Sequence, residues 1–135
     1  MRARDRLGRF VDPISDDAVA PVSEEPLPPR DAVALARQLL AEGRPFSAHE
    51  VFEASWKATT GPDRDLWQGL AQVCVGLTHL ERGNAVGAAT LLRRGAGRLA
   101  HQAADHGIDP RKIAADAAQL ADAVEQGATT GMVEI

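Results

Sequence analysis

The chain of 135 residues has one cysteine, no tyrosine, three phenylalanines and two tryptophans. A single cysteine excludes an internal disulfide, and Cys74 lies between Val73 and Val75, the setting of a buried thiol rather than a nucleophile. The longest apolar stretch, Val73–Leu77, falls far short of the roughly 20 residues that cross a membrane. No apolar signal region follows the Arg-rich start, so no secretory leader is expected, and a reducing, cytoplasmic location fits the lone thiol. Net charge is only -4, which implies no general affinity for nucleic acid or anionic membranes. A phosphate-binding glycine loop, a cysteine cluster and interleaved aromatic and basic residues are all lacking. Strand-like alternation is lacking too, while alanine is abundant and β-branched residues are few, a mix that favours helices.

What is present divides the chain unevenly. Residues 1–30 hold Pro13, Pro21, Pro26, Pro28 and Pro29 and read as an irregular arm. Arg2, Arg4, Arg6 and Arg9 cluster at its start, opposed by Asp5 and then by Asp16, Asp17, Glu24 and Glu25. A solvated tail lying over the domain is the leading reading of that run, with a basic arm for RNA or an acidic partner as the other. Residues 31–126 read as one all-α domain, a small bundle of about five helices arranged as antiparallel hairpins, and 127–135 as a frayed tail.

Helix punctuation is clear within the domain. Asp31 suits the cap of a first helix that Gly43 stops. A second helix starts either at Pro45 or at Ser47, where Ser47 and Glu50 would form a capping box, and runs to Ala58. A third spans about Asp65–Arg82 and is apolar nearly all round, as a central helix should be. Its Gly69 and Gly76 each cost about 1 kcal/mol relative to alanine, which a closely approaching neighbour helix would offset. Gly83-Asn84 breaks the chain before a fourth helix that runs to about Asp105 with Arg93, Arg94 and Arg98 outward. Asp109-Pro110 opens a fifth helix to Glu125. His101 and His106 are expected at the end of the fourth helix, where the dipole favours them.

One segment stands out chemically. Phe46–Trp56, FSAHEVFEASW, places His49, Glu50 and Glu53 between Phe46, Phe52 and Trp56. His49 and Glu53 are four apart and share a helix face. On the third helix Gln68, Gln72 and His79 form a second polar stripe. Facing stripes would make a pocket of His49, Glu50, Glu53, Trp56, Gln68, Gln72 and His79. Three readings of it stand, the structural one first: a hydrogen-bonded network that fixes the packing. A second is a Zn or Fe site drawing on His49, Glu53 and His79, although the spacing is neither H-E-x-x-H nor the E-x-x-H of di-iron bundles. A third is acid–base catalysis by His49 and Glu53 on a small molecule, with Gln68, Gln72 and His79 orienting it.

The motifs A-H-E-V-F-E-A-S-W at 48–56, W-Q-G-L-A-Q at 67–72 and H-L-E-R-G-N-A-V-G-A at 79–88 resemble the family called domain of unknown function 309. The matching positions are His49, Glu50, Glu53, Trp56, Gln68, Gly69, Gln72, Gly83 and Asn84, and Pro45 departs from the aromatic or polar residue usual there. The resemblance implies a small all-helical fold and no established reaction. Beside the enzyme readings, a helical-hairpin scaffold for a protein partner therefore stays open, as does homodimerisation through an Ala- and Gly-rich helix face.

Overall fold

A computed structural model describes residues 3–135. Met1 and Arg2, the first arginine of the basic run, lie outside the described residues. Five helices form the body: α1 (Pro29–Ala41), α2 (Pro45–Ala58), α3 (Asp63–Glu81), α4 (Ala85–Leu99) and α5 (Pro110–Glu125). Each packs on the next in sequence, and α3 lies between α2 and α4. The all-α bundle expected from composition and punctuation is what forms. No helix among the described residues is long and apolar enough to cross a membrane.

Prolines set the starts. Pro29 is the first residue of α1, so the helix begins before Asp31, which falls in the first turn and favours the dipole instead of capping it. Pro45 likewise opens α2. Ser47 is therefore inside the helix, where its Oγ accepts a hydrogen bond from Arg44 Nη2 at 3.1 Å, and no capping box forms. Asn84 and Asp109 do cap, accepting from Gly87 N at 2.9 Å and Lys112 N at 3.3 Å. The fourth helix stops at Leu99 rather than near Asp105. The chain turns out of the helix there, with Gln102 N donating to Leu99 O at 3.1 Å, and a tight turn, Asp105–Ile108, follows, closed by a backbone bond from Ile108 N to Asp105 O at 2.8 Å, with His106 and Gly107 both at positive φ (54° and 78°).

The core depends on how closely α4 approaches α3. A Cβ added at Gly95 would sit 2.8 Å from the Gly69 carbonyl oxygen, and one at Gly76 would sit 2.8 Å from Leu92 Cγ. The glycines of α3 are thus where the neighbouring helix comes nearest, as their cost required. Arg93 of α4 turns outward and bonds Asp122 and Glu125 of α5.

The arm lies over the helices and is more ordered than its prolines suggested. Two short antiparallel strands, β1 (Ala3–Arg4) and β2 (Phe10–Val11), pair Ala3 with Val11 and Arg4 with Phe10. Leu7 between them is buried. Three guanidinium groups fasten this segment: Arg82 donates to Leu7 O, Arg6 pairs with Glu81, and Arg44 donates to Ala20 O at 2.7 Å. The tail expected to fray also docks. Val133 is 1 % exposed, and Arg37 Nη2 donates to Ile135 O at 2.6 Å, because apolar side chains there find an uncovered stretch of core.

Two alanine substitutions on α4 should have opposite signs. Gly95→Ala forces a methyl against the α3 backbone and should destabilise by about 1–3 kcal/mol in urea unfolding. Gly97→Ala, where an added Cβ meets nothing within 4 Å, should stabilise by up to about 1 kcal/mol.

Candidate functional site

The polar row of α2 is a chain of bonds along one helix face. His49 Nδ1 lies 3.1 Å from the Phe46 carbonyl oxygen, and Nε2 lies 2.7 Å from Glu53 Oε2. The other Glu53 oxygen accepts from Lys57 Nζ at 2.7 Å. Both ring nitrogens of His49 thus face oxygen atoms of its own helix. A metal or a substrate proton reaching either nitrogen would have to displace one of these contacts. Phe46 packs against the imidazole with ring centroids 5.0 Å apart.

The two glutamates differ. Burial raises the Glu53 carboxyl, but the bond from Lys57 and then the charge and bond of His49 outweigh it, and the carboxyl lies below its ordinary value. Glu50 lies above its ordinary value because burial dominates, against the charges of His49, Arg4 and Arg44. No hydrogen bond reaches the Glu50 carboxylate among the described residues. It lines two small recesses at the seam between α2 and the arm. One, of about 230 Å³, is walled by Arg4, Val19, Ala20, Phe46 and Ser47. The other, of about 270 Å³, is walled by Val22, Glu24, Glu53 and Lys57. Arg4 is committed elsewhere: its guanidinium lies over Phe10 and Phe46, 4.2 and 5.1 Å from the ring centroids, and donates to Gly8 O at 2.6 Å.

The second stripe does not bond to the first. Gln72 Oε1 accepts from Arg98 of α4 at 3.2 Å, and that arginine also binds Asp65. His79 Nδ1 is 3.2 Å from Asn84 Nδ2, at the cap of α4. Gln68 is half-buried on α3. Trp56 packs on the core with its indole Nε1 buried and unbonded, and Arg64 lies over its ring at 5.1 Å. His49, Glu50 and Glu53 are thus together on α2, whereas Gln72 and His79 are engaged by α4 and its cap. Cys74 is fully buried, and burial pushes its thiol far up, out of nucleophilic range.

A different cluster was not legible in the sequence. Among the described residues, Asp63, Asp105 and His106 bring one ligand atom each to within 4.8 Å of one another. Asp63 opens α3, while Asp105 and His106 belong to the turn before α5. The His-Gly pair at the tip of that turn was its only local signal; nothing in the spacing ties it to Asp63.

The model of one family, described as domain of unknown function (DUF309), matches residues 33–91. That span takes in the polar row of α2, all of α3 and the cap of α4. No curated protein and no solved structure matches the chain.

The opposed shifts give opposed pH effects. A lowered folded value means that Glu53 stabilises above the ordinary carboxylate range and loses this as pH falls through its folded value. Glu53→Gln should therefore cost up to about 1 kcal/mol at neutral pH, with the gap closing on acidification. A raised value means that ionised Glu50 opposes folding at neutral pH. Glu50→Gln should be neutral or stabilising there, and the difference should vanish below the ordinary carboxylate range. Urea unfolding from pH 3 to 7 measures both.

Proposed function

We propose that this chain, whose residues 33–91 match the model of the domain of unknown function family DUF309, has a role in binding rather than catalysis. In this reading the bonded row His49–Glu53–Lys57 is structural: it stiffens α2 and holds Phe46 where the arm packs on it. The ligand seat is the seam recess beside Glu50. The observation that carries the reading is a contrast between neighbours. Every polar atom of the His49 ring is spoken for within its own helix, whereas the next carboxylate has no hydrogen-bond partner among the described residues and borders open space. An ionised acceptor beside Phe46, Val19 and Ala20 suits a small molecule that joins an amine to an apolar group. A cytoplasmic location goes with this reading, in keeping with the free thiol of Cys74.

Acid–base catalysis is the second reading, favoured by the upward shift of Glu50 in a recess. It stays second because the nearby hydroxyl of Ser47 already takes the Arg44 bond and Cys74 is sealed in the core.

Benzylamine, with phenylacetate as the anionic control, tests the binding reading by backbone amide NMR. The expected result is saturable shifts centred on Phe46, Ser47, Glu50 and Val19 with benzylamine alone, lost in Glu50→Gln. Shifts of equal size in Glu50→Gln, or none at the seam in the wild type, would overturn it.

A further inference from the structure

The turn before α5 and the first residue of α3 meet at a second place that can hold a ligand. His106 Nε2 lies 3.2 Å from Asp63 Oδ2 and 3.5 Å from Asp105 Oδ2. Bonds of about 2.0–2.2 Å from one metal ion, at angles of roughly 90–110°, hold neighbouring ligand atoms about 2.8–3.6 Å apart. Both separations fall in that interval. We propose that Asp63, Asp105 and His106 bind a divalent first-row transition metal, with one nitrogen and two carboxylate oxygens from the protein and the remaining positions open to water.

The donor set selects the class of ion. An imidazole with two carboxylates suits Zn²⁺ or Mn²⁺ and offers too few oxygens for Ca²⁺. The ligands are also held from outside the cluster. The imidazole stacks on Trp67, with ring centroids 5.5 Å apart and an interplanar angle of 23°, and Trp67 itself is buried in α3 and stacked on Phe52. The core thereby fixes the plane and position of the ring, which places Nε2 toward the carboxylates. Arg37 of α1 donates to Gly107 O at 2.9 Å and ties the turn to the bundle. His106 is 19 % exposed at its side chain while the two carboxylates are open, so an ion has a path in from solvent. Asp105 Oδ1 accepts from His106 N at 2.7 Å, which leaves Oδ2 as its ligand atom. The site is independent of the α2 seam and of the benzylamine result.

Calorimetric titration of metal-free protein with Zn²⁺, beside the same titration with Mg²⁺, tests the assignment. The expected result is one saturable equivalent of Zn²⁺ that Mg²⁺ does not displace. Asp63→Asn and Asp105→Asn should each weaken it at least about tenfold, a conservative bound for losing one ligand. His106→Asn should abolish it; asparagine tolerates the positive φ at this position, so the turn is kept, and circular dichroism checks the fold. Because the ring stacks on Trp67, Co²⁺ should quench the fluorescence of the wild type but not of His106→Asn, and Trp67→Phe should remove the quenched component. Absence of saturable Zn²⁺ binding, or equal binding in His106→Asn, would overturn the proposal. So would Zn²⁺ binding that is lost in His49→Ala and kept in His106→Asn, since the ion would then belong to α2.

Discussion

Everything in this molecule is positioned by the close approach of α4 to α3. Gly69, Gly76 and Gly95 remove the side chains that would hold the two backbones apart, and the Gly95 position comes within reach of the Gly69 carbonyl. With only five aromatic residues besides histidine, the chain cannot fill wide gaps between helices. It brings backbones together instead, and Leu92 and Leu99 of α4 fill the space over the α3 glycines. The seam fixes both ends of α3. At one end Asp63 and Trp67 meet the turn that follows α4; at the other, Glu81 and Arg82 hold the arm.

The arm converts a helix face into a seam. It walls one recess beside Glu50 with Arg4, Val19 and Ala20, and the other with Val22 and Glu24. With Arg44, Arg82 and Arg6 anchoring it, Phe46 is covered by Gly8 and Arg4, and Glu50 is partly desolvated between two recesses. Gly8 is required at its position twice over, by its φ of 78° and by the Phe46 ring lying where a Cβ would be. The chemical character of Glu50 is thus set by burial under the arm together with the charges of His49, Arg4 and Arg44.

Fold and site differed in how far they could be read from sequence. The five helices were legible because proline, glycine, asparagine and aspartate mark their ends, and the apolar wrap of α3 marked it as central. The close helix seam was legible from the cost of Gly69 and Gly76 alone. The facing of polar stripes was not. Amphipathicity says that a residue lies on a face and is silent about which neighbour that face meets, and Gln72 and His79 meet Arg98 and Asn84 of the α4 side. Nor could spacing join Asp63 to His106, because that meeting depends on α4 ending at Leu99 and on a turn with His106 at positive φ. The docking of Val133 was hidden for a similar reason: a short apolar tail is ordered only by the groove it finds.

His49 is a bonded strut of α2 in this structure rather than a reactive centre. Imidazole nitrogen NMR, recorded with and without one equivalent of Zn²⁺, tests this most directly. Both His49 ring resonances should stay in place while its bonds to Phe46 and Glu53 persist. A shift of either His49 nitrogen on adding the ion would show an open lone pair and would contradict it.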